Sequence, residues 1–180
     1  VRLFPHHLKG EGHFIAKLVN GEPESTDKKR KKKNKRKKQS IVKPDKEQVK
    51  LFNQFITSVF PDYQPHQLIL FGDQLYDLPL EEDKIEGLNV LRPGLHLGTF
   101  KKNRFEPALA WALASLPQEA NQVIELSQEQ WHQYVHGDVI NIDADLPNGW
   151  YLLVCEEHTA GFGKLVGKTI KNFYPKGLRF

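Results

Sequence analysis

Two histidines in this sequence have a spacing that could hold a metal ion. His132 and His136 stand four residues apart on a predicted helix, and this spacing lets two imidazoles share a zinc ion. The zinc-protease motif also needs a glutamate after the first histidine to act as a general base, and Gln133 occupies that place. We therefore expect an amphipathic helix surface here and no metal site.

Three glycines and the single cysteine near the end of the chain could also do chemistry. Gly161, Gly163 and Gly167 lack the spacing of the dinucleotide-binding fingerprint and precede strand-like residues rather than a helix. We expect them to permit a tight turn or the close approach of a backbone, such as that of an RNA. Cys155 ends an apolar run, where a thiol is normally buried and inert. We therefore expect Cys155 in the core, with no catalytic or cofactor-binding residue among these four.

Positive side chains in two segments are the best candidates for a binding site. Residues 92–106 contain four basic residues and one acidic residue, and residues 146–180 contain five and two. Interleaved lysine, arginine and aromatic residues are typical of surfaces that bind RNA, where cations meet phosphates and a ring stacks on an unpaired base. The predicted RNA-binding residues are Arg92, Lys101, Lys102, Arg104, Lys164, Lys168, Lys171, Tyr174 and Lys176. Phe105 and Phe173 are expected in the core, and a hairpin with solvated lysines remains the alternative.

The net charge of +4 comes from one lysine-rich run. Ten of the 26 Lys and Arg residues lie in residues 28–38, so the other 16 face 22 Asp and Glu residues. Such a run repels itself and buries no apolar surface, and we expect residues 20–44 to form a disordered linker. It could lie along RNA or remain a solvated loop, and the sequence leaves both open.

Capping and turn signals predict a small α+β unit over residues 45–88. Asp45 and Gln48 form a capping box for a helix that ends at Phe60, before a proline. Two apolar runs over residues 68–71 and 75–78 flank a Gly-Asp-Gln turn and predict a β-hairpin. An acidic stretch follows, and another strand is expected to begin at residues 88–91.

The rest of the chain, residues 89–180, predicts a small mixed β-barrel with short helices. Pro107 suits the first turn of a helix, and Ser127 with Gln130 predicts a second helix that ends near Gly137. Short strands are expected at residues 121–126 and 138–142, followed by a glycine-rich hairpin from Trp150 onward. The predicted fold class is α+β.

Three stretches of the sequence also resemble a known family. They are RLFPHHLKGEGHF at residues 2–14, LRPGLHLGTFKKNRFEPALAWALA at 91–114 and GFGKLVGKTIKNFYPKGLR at 161–179. Together they resemble the C-terminal part of RsmF-type (YebU-type) rRNA cytosine-C5 methyltransferases of the Sun family. The resemblance implies a remnant of the last strands of the catalytic domain at residues 1–19. It also implies that residues 89–180 form a PUA-like RNA-binding domain.

The resemblance implies a function and partners as well. The whole enzyme would transfer a methyl group from S-adenosylmethionine to a cytosine of ribosomal RNA. We expect this chain to lack the catalytic cysteines and the cofactor-binding core, to be inactive alone, and to hold ribosomal RNA for its own catalytic domain. The alternative is a structural or protein-interaction module that docks on that domain or on a ribosomal protein. One cysteine and no apolar stretch of about 18 residues predict a cytoplasmic protein without a membrane partner.

Overall fold

The computed structural model describes residues 2–3, 13–14, 41–81, 83, 85 and 90–180. The chain divides into two units, residues 1–37 and 38–180. In the first unit, the strands β1 (Arg2–Leu3) and β2 (His13–Phe14) form an antiparallel pair. The predictions for the lysine-rich run and for residues 88 and 89 lie outside the described residues. Residues 90 and 91, which were expected to belong to a strand, are not in one.

The second unit begins with the helix α1 (Lys46–Val59), whose ends are set by local signals. The Asp45 carboxylate accepts the Gln48 backbone N–H at 2.8 Å, and the Gln48 side chain accepts the Asp45 backbone N–H at 2.9 Å. At the other end the Phe60 N–H donates to the Ile56 carbonyl at 2.8 Å, and Pro61 follows. The predicted capping box and helix end are therefore confirmed.

A four-stranded antiparallel sheet, the first sheet, follows α1. Its strands, in spatial and chain order, are β3 (Leu68–Phe71), β4 (Gln74–Asp77), β5 (Leu95–Lys101) and β6 (Arg104–Pro107). The predicted hairpin turn is present between β3 and β4, where Gly72 has a φ of 64°. The sheet continues from β4 to β5 across the domain boundary predicted at residues 88 and 89. The division of the chain into domains stays a prediction.

A buried carboxylate at the end of β4 fixes the loop that precedes the sheet. Asp77 accepts hydrogen bonds from the Tyr63 hydroxyl at 2.8 Å and from the backbone N–H groups of His66 at 2.9 Å and Gln67 at 3.1 Å. Burial, followed by the hydrogen bond to Asp77, raises the pKa of Tyr63 well above its usual value. The phenol therefore remains a donor to Asp77 across the neutral pH range.

The remaining elements form a second, mixed sheet with short helices. They are α2 (Leu109–Ala114), a 3-10 turn (Pro117–Glu119), β7 (Val123–Glu125), α3 (Gln128–His136), β8 (Ile140–Asn141), β9 (Gly149–Cys155), β10 (His158–Val166), β11 (Thr169–Asn172) and a 3-10 turn (Lys176–Leu178). The strand order is β7-β9-β10-β11-β8, and β7 runs parallel to β9. This curled sheet is a half-barrel, and with the helices it confirms the predicted α+β class. Among the described residues, no helix has the length and apolar character needed to cross a membrane.

The helix α3 confirms a second prediction from local signals. The Ser127 hydroxyl accepts the Gln130 backbone N–H at 3.2 Å, and the Gln130 side chain accepts the Ser127 backbone N–H at 3.0 Å. Gly137 ends the helix with a φ of 102°, a left-handed conformation that glycine adopts without strain.

The strands β9 and β10 are buried on both faces in their middle. Leu152 and Phe162 pack into a core shared with Phe55 of α1, Trp111 of α2 and the first sheet. The other face belongs to a second core, where Leu153 packs near Tyr134 of α3. Because side chains alternate between the two faces and both faces are covered in the middle of the strands, only the two ends of the β9–β10 hairpin contribute to surface grooves.

Candidate nucleic-acid interface

The β9–β10 hairpin aligns an aromatic residue with two lysines. The register starts from the two-residue turn between Cys155 and His158, and a bulge between Thr159 and Gly161 shifts it by one residue. Lys164 therefore pairs with Trp150, and Lys171 of β11 pairs with Lys164 on its other side. Directly paired residues place their side chains on the same face of a sheet, so the three side chains form a row.

This row borders a groove of about 450 Å³, which we call the basic groove. Its walls come from α1, the β5–β6 hairpin and the open end of the β9–β10 hairpin. The lining residues are Leu51, Gln54, Phe55, Ser58, Asn103, Arg104, Phe105, Glu106, Gln122, Asn148, Gly149, Trp150, Lys164, Leu165, Val166 and Phe173. The groove thus joins one cation from each of the two basic segments identified in the sequence, Arg104 and Lys164.

Two aromatic rings lie against the cations of the basic groove. The ring centroids of Trp150 and Phe173 are 4.4 Å apart, and both side chains are half-buried. The Lys164 Nζ lies 5.9 Å from the centroid of the Trp150 ring, within the range of a cation–π interaction. Partly accessible rings beside an ammonium group can stack on an unpaired base while the cation meets its phosphate.

The cations around the basic groove differ in their ion pairs with the protein's own carboxylates. Arg104 Nε is 2.7 Å from Glu106 Oε1, and Lys101 Nζ is 3.4 Å from Asp73 Oδ2. Such exposed pairs contribute only about 0–1 kcal/mol each, so a phosphate can replace the carboxylate. Within the described part of the chain, Lys164 has no ion pair with a carboxylate, and its ammonium group is available for a ligand.

A polar atom beside the basic groove lacks a hydrogen-bond partner. The Gln122 Oε1 is buried, and no donor among the described residues bonds to it. Gln122 lines the groove next to Gly149 and Asn148. Because a buried acceptor without a donor costs about 1–3 kcal/mol, this amide has hydrogen-bonding capacity that the described residues do not use.

The structure distributes the nine predicted RNA-binding residues over several places. Arg104 and Lys164 line the basic groove, Lys171 is exposed and pairs with Lys164 in the sheet without lining the groove, and Lys102 is exposed in the adjacent β5–β6 turn next to Lys101. Arg92 is exposed before β5, outside the residues that line the groove.

The other predicted residues lie away from the basic groove. Lys168 is in the β10–β11 turn and pairs with Asp143 at 2.7 Å. Tyr174 packs edge-to-face against Tyr134 in the second core, with ring centroids 5.4 Å apart. Lys176 is exposed in the last 3-10 turn. Their contact with RNA stays a prediction.

The two aromatic residues of the basic groove are not among the binding residues predicted from the sequence. Trp150 was assigned to a buried run, and Phe173 was expected in the core, but both are half-buried. Without the bulge in β10, a two-residue turn would pair Lys164 with Gly149 instead of Trp150. The interleaving of lysines with aromatic residues was the available signal, and it did not identify which rings are accessible.

The three glycines serve the packing of the second sheet. A Cβ atom at Gly161 would overlap the Tyr134 hydroxyl, and one at Gly163 would overlap Ile170. Gly167 has a φ of 61° in the β10–β11 turn. The close approach expected at these glycines is therefore made by the protein's own side chains at Gly161 and Gly163.

Cys155 and the two histidines lie near α3. Cys155 is half-buried rather than fully in the core, and burial followed by the charges of Glu156 and Glu125 raises the pKa of its thiol. His132 and His136 are exposed on α3. The described residues contain no group of three or more His, Cys, Asp or Glu side chains that could hold a metal ion.

Comparison with known proteins places this arrangement in a family. Residues 54–114 match the model for the RsmF rRNA methyltransferase first C-terminal domain, and residues 121–180 match the model for the methyltransferase RsmF PUA domain. Ribosomal RNA small subunit methyltransferase F from Aeromonas salmonicida (strain A449) is 29% identical over 116 residues, which cover 63% of this chain and 24% of that protein.

The matched stretch thus spans about a quarter of that relative's length. The two domain models together cover about two thirds of this chain, in consecutive order. The first covers the end of α1 from residue 54, the first sheet and α2, and the second contains β7 to β11. The chain therefore carries the first C-terminal domain and the PUA domain of an RsmF-like rRNA methyltransferase.

Proposed function

We propose that this chain is the RNA-binding C-terminal region of an S-adenosylmethionine-dependent rRNA (cytosine-C5)-methyltransferase. In this proposal the basic groove holds an unpaired segment of ribosomal RNA in the cytoplasm and positions it for the catalytic domain. The observation that carries the proposal is the meeting of Arg104 and Lys164, from the two basic segments, beside the half-buried rings of Trp150 and Phe173.

The residues of the basic groove divide into two roles. Arg104 offers a planar guanidinium that can bind a phosphate through two N–H groups, and Lys164 and Lys171 offer point charges along the same path. The rings of Trp150 and Phe173 offer apolar surface to bases, which favours single-stranded over duplex RNA because duplex bases are already stacked.

We propose the methyl donor, S-adenosylmethionine, for the whole enzyme and assign it no binding site in this chain. The glycines that most resemble a cofactor loop do not fit one, because Tyr134 and Ile170 fill the space at Gly161 and Gly163. Gly167 lies in a turn between two strands rather than before a helix. The described residues therefore supply binding and positioning, and we assign none of them to the methyl-transfer step.

A pair of charge reversals tests the proposal. The double variant Lys164→Glu/Lys171→Glu should weaken binding of an unpaired rRNA fragment by at least about 25-fold at 0.1 M salt, because each lost phosphate contact costs about fivefold. The matched control, Lys46→Glu/Lys50→Glu, makes the same charge change at exposed positions of α1 that do not line the groove. Filter binding on the full chain measures both.

The alternative function, a protein-interaction module without an RNA role, predicts a different result. RNA binding by the full chain would then come from the ten cations of residues 28–38, and the two double variants would bind RNA equally. Equal losses in both variants would therefore exclude the basic groove as the RNA site.

A further inference from the structure

A second groove, of about 520 Å³, lies at the opposite end of the β9–β10 hairpin from the basic groove. We call it the apolar groove; α2, α3 and the first residues of β10 form its walls. Its apolar and aromatic lining residues include Leu109, Leu113, Trp131, Val135 and Tyr174. Since β9 is seven residues long, the two grooves are separated by about 20 Å along the strand.

The apolar groove contains side chains that a folded protein would normally cover. Leu113 is 59% exposed, and it lies two residues after the buried Trp111, on the opposite side of the same helix. The Trp131 ring is half-buried on α3 and lies beside His132, with ring centroids 4.9 Å apart. A partly open floor of leucine and tryptophan side chains fits an apolar side chain from a partner.

The charge around the apolar groove has the sign opposite to that of the basic groove. Glu156 lines it, and the charges of Glu156 and Glu125 act on Cys155 within the groove. None of the residues that line it is Lys or Arg. Residues 107–145, which include α2 and α3, contain six acidic residues and no Lys or Arg. Phosphates would therefore be repelled here, whereas a cationic partner would be attracted.

We propose that the apolar groove is a docking site for a basic segment of another protein. One or two leucine-sized side chains of the segment enter the groove beside Leu113 and Trp131, and flanking lysine or arginine residues face Glu156 and its acidic neighbours. This surface is separate from the RNA site, so the proposal stands or falls independently of the proposed function.

A synthetic probe peptide tests the proposed docking site. The probe has leucines at helical spacing with lysine and arginine between them, and the matched peptide has glutamate in place of every basic residue. The two peptides are titrated into the 15N-labelled full chain, and the Trp131 and Trp150 indole N–H signals report on the two grooves separately. Binding of the basic probe should shift the signal of Trp131 and leave that of Trp150 unchanged.

Single substitutions at exposed positions then separate the apolar from the charged contributions to the affinity for the basic probe. Leu113→Gln should weaken binding of the basic probe about tenfold, because the substitution removes apolar contact area. Glu156→Gln should weaken it about threefold, as for one exposed ion pair. Lys164→Gln, in the other groove, should bind the probe like the unmodified chain.

Several results would overturn the proposal. They are equal binding of the acidic peptide, unchanged affinity in Leu113→Gln, a shift of Trp150 rather than Trp131, and no shift at all. A single-stranded RNA that shifts Trp131 would also overturn it, because the groove would then bind nucleic acid. The unperturbed signals of each variant show whether it is folded, so loss of structure cannot be mistaken for loss of binding.

Discussion

Neutralising one lysine of the basic groove should change the salt dependence of RNA binding by a defined amount. Lys164→Gln removes the only lysine that lines the basic groove among the described residues, and it keeps a side chain of similar length. For single-stranded nucleic acid, each phosphate contact contributes about 0.7 to the slope of log affinity against log salt. The slope of the variant should therefore be less steep by about 0.7.

The effect on affinity is partly offset by a contact that Lys164 makes in the free protein. At 0.1 M salt, a slope change of about 0.7 corresponds to about fivefold in affinity, or about 1 kcal/mol. In the free protein, however, Lys164 already interacts with the Trp150 ring at 5.9 Å, and an exposed cation–π contact contributes about 0.5 kcal/mol. Transfer of the ammonium group to a phosphate loses that contact, so we expect a two- to fivefold decrease in affinity.

Fluorescence anisotropy measures both quantities on the full chain. A labelled, unpaired RNA of about 12 nucleotides is titrated between about 50 and 300 mM salt. The variant and the unmodified chain share the ten cations of residues 28–38, so the difference between their slopes isolates Lys164. Lys46→Gln is the matched control. The reasoning is refuted if the slope of Lys164→Gln is unchanged, or if Lys46→Gln changes it equally.

Three further predictions concern stability. Asp77→Ala should lower the free energy of unfolding by about 3 kcal/mol in urea titrations, because the Tyr63 hydroxyl and two backbone donors lose a charged acceptor; a loss below about 1 kcal/mol would contradict this. Gly161→Ala should cost about 2 kcal/mol through overlap with Tyr134, and adding Tyr134→Phe should recover part of it; additive losses would argue against the overlap. Glu157→Gly should raise Tm by about 2–4 °C, because Glu157 has a φ of 67° in the β9–β10 turn; a lower Tm would contradict that reasoning.

Two of the three α-helices, α1 and α3, could be predicted from the sequence because their signals are local; Pro107, expected in the first turn of α2, instead ends β6. A capping box uses two residues three positions apart, so Asp45 with Gln48 and Ser127 with Gln130 identify both helix starts without knowledge of the rest of the fold. The turn at Gly72 is equally local, because it needs only a residue that tolerates a positive φ.

The composition of the basic groove could be predicted only in part, because it depends on register and on distant contacts. The bulge in β10 decides that Lys164 pairs with Trp150, and one added residue in a strand leaves no clear signal in the sequence. Tyr174 follows Phe173 in the chain, yet packs against Tyr134 of α3, 40 residues away, instead of lining the groove. Such partners are fixed by packing of the whole domain rather than by local pattern.

The extent of the first sheet also depends on long-range pairing. The sequence between β4 and β5 includes an acidic stretch, and the predicted α+β unit ends after it, at residue 88. In the structure, Asp77 pairs with Leu95 across that stretch, so two strands on either side of it belong to one sheet. The composition of a connecting segment does not reveal whether the strands it joins are neighbours.

The most direct test of the RNA-binding account is an NMR titration of the full chain with the same unpaired RNA, read at the indole N–H groups of Trp150 and Trp131. Trp150 lines the basic groove and Trp131 lines the apolar groove, which lie at opposite ends of the β9–β10 hairpin. The account predicts that RNA shifts the Trp150 signal and leaves the Trp131 signal unchanged. A shift of Trp131 alone, or of neither residue, would contradict it.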